Sequence, residues 1–115
     1  MMPDVAAGRD VSERIVELRA RIASVARGHG RDPAAIALLG VTKGQTRAAV
    51  AAAVAGGLSE IGENYVQEAR PKYAALEGAR KHFLGRLQTN KARAIVATFD
   101  VVQTVDRLEA GLALG

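Results

Sequence analysis

A chain of 115 residues has room for one modest hydrophobic core and no more. With 49% hydrophobic and 24% charged residues it belongs among globular chains rather than disordered or collagen-like ones. The absence of cysteine excludes disulfide frameworks, thiolate metal sites and cysteine nucleophiles, and two histidines far apart in sequence make a poor metal set, so no metal is expected.

The net charge is +4, with 12 arginines against 4 lysines, a balance compatible with anionic small molecules or with nucleic acid. Aromatic residues make up only 3%, which leaves few platforms for stacking bases, and no RNP-like glycine-rich segment accompanies the basic residues, so nucleic acid is not the expected partner. The start MMPDVAAGRD has two acids and no apolar core of a signal peptide, and no apolar run approaches the ~18 residues of a membrane span. A cytoplasmic protein without membrane contact is the default expectation.

Along the chain, Val11, Ile15, Leu18, Ile22 and Val25 recur at steps of three and four, one apolar stripe on a helix whose other face carries Arg14, Glu17, Arg19 and Arg21. Asp10 with Glu13 makes a capping-box pattern at its start, and Gly28 and Gly30 stop it. After the turn residues Asp32 and Pro33, the run AIALLGVT is continuously apolar, as expected of a strand over 36–42 covered on both faces. Thr46 caps a helix carrying Val50 and Val54, which ends at Gly56 and Gly57. A second strand is expected over 58–62. Asn64 then stands as the cap of a helix running toward Leu76, with Gln67 at the capping-box position and Pro71 inside, where it should kink or divide the helix. A third strand over 81–84, a helix over 89–98 with Ala92, Ile95 and Val96 inward, and a fourth strand over 101–104 follow. Asp106 and Glu109 open a last helix, within which the chain stops.

One helix followed by four strand-helix units with short connections implies parallel strands joined by right-handed crossovers. Four units do not close a barrel, which needs eight. The fold class is therefore α/β: either half of a (β/α)8 TIM-type barrel preceded by an extra helix, forming one partial domain over 1–115, or a small open doubly wound sheet. A half barrel exposes an apolar face, from which self-association or marginal stability should follow.

Ligands of such sheets sit at the carboxyl ends of the strands, which brings Lys43, Glu63 with Asn64, Gly85 with Arg86, and 104–106 onto one rim. A rim lysine backed by an apolar strand can lose part of its hydration, and the neutral amine this favours attacks carbonyls. The alternative is a lysine that simply marks where the strand meets water.

The strings GVTKG, EIGENYVQEA, KHFLGRLQTNKAR and VVQTVDRLE, in that order, closely resemble the amino-terminal half of the pyridoxal-phosphate homeostasis protein family. The resemblance runs from about Val11 to the last residue, and the family is related in fold to the barrel domain of alanine racemase. It implies that the lysine after the first strand, Lys43, holds pyridoxal 5′-phosphate as a Schiff base, with Lys72, Lys81 and Lys91 dispensable for it. It also implies a non-enzymatic carrier that regulates the supply of this cofactor, with no catalytic residue. Asn64, in the GENY string, lies at the cofactor face or else caps its helix. His82 lies beside the cofactor ring or else is a packed histidine bonded to backbone. Glu63 orients Lys43 or neighbouring amides, or is a solvated rim carboxylate. Gln88, Asn90 and Lys91 of LQTNK could bind an anion at a helix start, although capping alone accounts for Thr89 and Asn90. Tyr65 and Tyr73 read as packing residues.

Two departures qualify the resemblance. The family often has a proline shortly after the lysine, where this chain has KGQTR, so Gly44 and Thr46 should leave that loop freer. Relatives are about twice as long, and their glycine- and serine-rich phosphate loops lie in the second half, so the chain reads as a piece of a longer protein in preference to one of two copies that complete a barrel. The other functional readings are an alanine racemase-like isomerase, which needs a proton carrier on each face of its substrate and has no identifiable second one here, and a fragment without a ligand of its own.

Overall fold

The computed structural model describes the backbone of residues 4–105 and 108–115, and the side chains of 11–105 and 111–115. The chain opens with helix α1 (Asp4–Gly28) and a 3-10 turn (Pro33–Ala35) capped by the Asp32 carboxylate. Then come β1 (Leu39–Val41), α2 (Arg47–Ala55), β2 (Glu60–Glu63), α3 (Val66–Tyr73), β3 (Arg80–Phe83), a second 3-10 turn (Thr89–Lys91), α4 (Ala92–Thr98), β4 (Val101–Val102) and α5 (Leu108–Leu114).

All three strand pairings are parallel and the spatial order is β1-β2-β3-β4. In a doubly wound sheet the order breaks where the winding reverses. Here it never breaks, so the sheet is wound in one sense only, as in half of a (β/α)8 barrel, and it is not closed. The doubly wound alternative is thereby set aside.

Register assigns the two faces. Leu39, Glu60 and Arg80 stand opposite one another, as do Val41, Gly62 and His82, and alternation puts all six on one side. Thr42, Ile61, Glu63 and Phe83 project to the other side, into a core completed by Val66, Ala69 and Tyr73 of α3, Ile95 of α4, and Leu87 and Phe99. Phe99 is the hub: Tyr73 meets it edge-on at 5.8 Å and Phe83 lies tilted at 5.2 Å, arrangements that rings prefer over face-to-face stacking.

Thr46 caps α2 as expected, its Oγ accepting from the Ala49 amide at 3.1 Å. Other boundaries differ. α1 begins well before Asp10, so Asp10 lies inside the helix and not at its start. The strands are shorter than their apolar runs, because a run continues where pairing does not. β1 is an edge strand and not one covered on both sides: Val41 is 55% exposed. Along α1, Ile15 is buried, yet Leu18 and Val25 are exposed, and Leu18 lines an open groove of about 510 Å³ with Val11, Leu38, Leu39 and Val41. The residue before α3 is Tyr65, with no side-chain cap, so Asn64 is one position too early to cap it. Pro71 does not divide the helix into two; α3 ends two residues later, at Tyr73, short of Leu76. In α4, Ala92 and Ile95 are buried, but Val96 is exposed and Phe99 takes the inward place expected of it. Neither Thr89 nor Asn90 caps that helix or the 3-10 turn before it. Asp106 lies outside the described residues, and the side chain of Glu109 does too.

Candidate functional site

Lys43 follows β1 immediately. Residues 42–45 form a turn in which the Gln45 amide donates to the Thr42 carbonyl at 3.0 Å and Gly44 has φ +74°. Positive φ at the third residue is the requirement of a type II turn, and glycine meets it without strain. Lys43 occupies the second position, exposed, with no hydrogen bond or ion pair to its amine among the described residues. The expected partial burial of this lysine is therefore absent. The loop expected to be freer is closed by this hydrogen bond, and Thr46 ties its far end to α2.

Behind the turn, on the helix side of the sheet, four side chains interlock. The Thr42 hydroxyl donates to Glu63 Oε2 at 2.7 Å, and Lys72 Nζ lies 3.1 Å from the same oxygen. The ammonium also donates to the Thr42 carbonyl at 2.9 Å. With its own proton given to the carboxylate, the Thr42 hydroxyl can only accept from the Tyr73 hydroxyl, 2.9 Å away. Glu63 is 0% exposed, and its Oε1 has no hydrogen-bond partner among the described residues. Burial pushes the Tyr73 phenol up to about 12, and the nearby Glu63 charge adds to it. Glu63 is thus neither a solvated rim group nor a partner of Lys43: it grips the residue before Lys43. Tyr73 is the packing residue expected, with a hydroxyl that keeps its proton.

On the helix-free side, His82 is buried. Its Nε2 lies 2.7 Å from Glu60 Oε1, and its Nδ1 lies 3.0 Å from Gln103 Nε2. Both ring nitrogens are engaged by side chains of the neighbouring strand and loop and not by backbone, which leaves the ring face as what His82 can offer. Asn64 comes one residue after β2, half-buried, and its backbone packs so tightly on Gly85 that a Cβ there would overlap the Asn64 carbonyl. Thr104 Oγ donates to the Gly85 carbonyl and ties the fourth strand's end into the same rim. Lys43, Asn64 and the Gly85 loop thus stand at the carboxyl ends of β1, β2 and β3, and His82 lies within β3. Gln88, Thr89 and Asn90 are exposed, and Lys91 is half-buried.

Sequence reasoning missed Lys72, reading it as an ordinary lysine. A signal existed: Val66, Ala69 and Tyr73 form the inward stripe of α3, and Lys72, three residues after Ala69, flanks it.

As a donor set, these residues suit one end of an aldehyde-bearing heteroaromatic ring. They supply an accessible primary amine, an amide with no capping duty and an imidazole face. No helix among the described residues is long and apolar enough to cross a membrane.

Parallel β/α units wound in one sense, with a lysine directly after the first strand whose amine has no partner among the described residues, define the class: the lysine-bearing part of a (β/α)8-type domain. No family model matches the chain. Curated relatives do: it is 46% identical over 101 residues to the pyridoxal phosphate homeostasis protein of Pseudomonas aeruginosa, covering 86% of this chain and 44% of that protein. The Escherichia coli protein of the same name is 36% identical over 110 residues, covering 91% of this chain and 47% of that protein. Among solved structures, PipY of Synechococcus elongatus with PLP bound superposes with a TM-score of 0.74 at 35% identity, over 90% of this chain and 46% of that one. An unknown protein from Bifidobacterium adolescentis gives a TM-score of 0.82 at 27% identity, over 99% of this chain and 51% of that one. The chain is homologous to the amino-terminal half of the pyridoxal phosphate homeostasis proteins, and it spans about half the length of the curated relatives it matches.

Proposed function

We propose that this chain is the amine-bearing half of a pyridoxal 5′-phosphate carrier that serves intracellular supply of the cofactor, holding it as a Schiff base on Lys43, and that it is not an enzyme. The observation that carries the reading is the Lys43 amine: exposed, without a partner among the described residues, and mounted on a hydrogen-bonded turn at the end of β1. When bound, the cofactor supplies an aldehyde with which a neutral amine condenses reversibly, releasing water. Asn64 and the His82 ring face would lie on the ring side of the amine. The curated names support a homeostatic role, and the bound PLP of PipY supports the ligand.

Against a racemase-like reading stands Tyr73, whose buried hydroxyl is bonded to Thr42 on the helix side of the sheet and not on the side that carries the His82 ring. Self-association through the helix-free face of the sheet, where Val41 is exposed beside Leu39, belongs to the same reading. Sedimentation across a range of concentrations checks it.

The decisive test of the ligand is borohydride trapping, in which hydride converts the link to a stable secondary amine, followed by peptide mapping. Lys43→Ala should abolish the adduct, and Lys81→Ala and Lys91→Ala should retain it. Equal labelling of all four lysines in the unaltered chain would reduce the chemistry to nonspecific aldehyde attack.

A further inference from the structure

The carbonyl oxygen of Thr42 accepts twice, from the Gln45 amide at 3.0 Å and from the Lys72 ammonium at 2.9 Å. That carbonyl belongs to the peptide unit that ends at the Lys43 nitrogen, so whatever holds it sets the direction in which the Lys43 side chain leaves the backbone. Lys72 is itself held: its ammonium lies 3.1 Å from Glu63 Oε2, and Glu63 is sealed within β2 with the Thr42 hydroxyl on the same oxygen. Sealing an ion pair away from water brings little net stability, and one that binds only its own elements together could be exchanged for apolar residues without loss. This pair does something an apolar pair could not, because an ammonium donates to the carbonyl and a methyl does not. The contact also spans the site: Lys72 rides on α3, after β2, and reaches back to the turn after β1.

Resting on the reading of Lys43 as the cofactor lysine, we infer that Lys72, gripped by Glu63, is a positioning residue that orients the 42–45 turn so that the Lys43 amine meets an aldehyde from one direction. An amine held in a productive orientation reacts faster than one that samples many.

The experiment uses the 115-residue chain with pyridoxal 5′-phosphate as probe, following borohydride-trapped adduct at Lys43, Lys81 and Lys91 by peptide mapping over time. Lys72→Met should slow labelling at Lys43 at least fivefold while Lys81 and Lys91, in the same molecules, react at their unaltered rates. Lys72→Arg, which keeps a cationic donor, should recover most of the loss. Val50→Ala, which thins the core from α2 and removes no hydrogen bond of the turn, should lower the thermal midpoint and leave the Lys43 rate unchanged. Should Lys72→Met not fold, Glu63→Gln, which weakens the grip on Lys72, takes its place with the same expected ratio. An unaltered Lys43 rate in Lys72→Met overturns the inference and leaves the Lys43 reading standing, as does an equal slowing in Val50→Ala. Labelling spread evenly over all three lysines in the unaltered chain overturns the Lys43 reading itself.

Discussion

The Nε2 of His82 lies 2.7 Å from Oε1 of Glu60, a bond between adjacent strands on the side of the sheet that carries no helix. A carboxylate only accepts, so the network assigns the ring proton to Nε2, and Nδ1 then accepts from the Gln103 amide. Glu60→Ala should leave a buried N–H without a partner and lower stability by about 1–2 kcal/mol. Gln103→Ala should cost less, because Gln103 is exposed and water can replace it. Urea midpoints of the two variants would rank them, and the reverse order would mean that the imidazole relies on Gln103.

Tyr73 predicts an alkaline limit. Its phenol ionises near 10 when unfolded and near 12 when folded. Below pH 10 both states hold the proton, so the contribution is fully present. Between about 10 and 12 only the unfolded state releases it, so stability falls as pH rises, by on the order of 1–3 kcal/mol. Tyr73→Phe removes this component. A stability curve equally steep in both proteins between pH 9 and 12 would assign the alkaline loss to other groups.

Ala75 has φ +58°, and residues 73–76 form a turn closed by the Leu76 amide on the Tyr73 carbonyl at 3.1 Å. Ala74 at φ −59°, ψ 126° makes this another type II turn, with alanine where glycine is preferred. Ala75→Gly should therefore stabilise by about 0.5–1 kcal/mol, relief of the left-handed strain outweighing the added freedom of the unfolded chain. A lowered melting temperature would contradict the turn.

Gly85 is constrained by contact rather than by φ. A Cβ there overlaps the Asn64 carbonyl and carbonyl carbon, which are backbone and cannot swing aside. Gly85→Ala should cost about 3 kcal/mol, the scale of overpacking a filled site, and should perturb the Asn64 amide resonance. Gly44→Ala is the contrast: nothing lies within 4 Å of its Cβ, so only the positive φ opposes it, at about 1 kcal/mol.

Phosphate selectivity should be weak in this chain. The family's phosphate loops are expected beyond the span matched here, and an amine link alone recognises only the aldehyde. Equilibrium titrations with pyridoxal and pyridoxal 5′-phosphate should give affinities within about tenfold, one step of 1.4 kcal/mol. A far tighter grip on the phosphorylated form would place a phosphate site within these residues, and mapping would begin at the exposed loop before α4.

Much of this molecule was legible from local pattern. The order of strands and helices followed from alternating apolar runs and turn residues, the α2 cap from Thr46, and the rim from the rule that ligands gather where parallel strands end. Strand lengths and edges were less legible, since an apolar run reports burial and not pairing: β1 looked doubly covered and is an open edge. Asn64 shows how a one-residue shift in a helix start changes a role, from cap to unassigned amide.

By itself the sequence determined the class of fold and the family half to which the chain corresponds, because these rest on short-range periodicity and on strings of neighbouring residues. Only the tertiary structure decided that Glu63 turns inward, that His82 is held at both nitrogens, and that Lys72 reaches the carbonyl before Lys43. Those contacts join residues 9 to 30 positions apart through a parallel crossover. Which of two neighbouring polar residues faces the core, and what it meets there, is set by strand register, which no local pattern encodes.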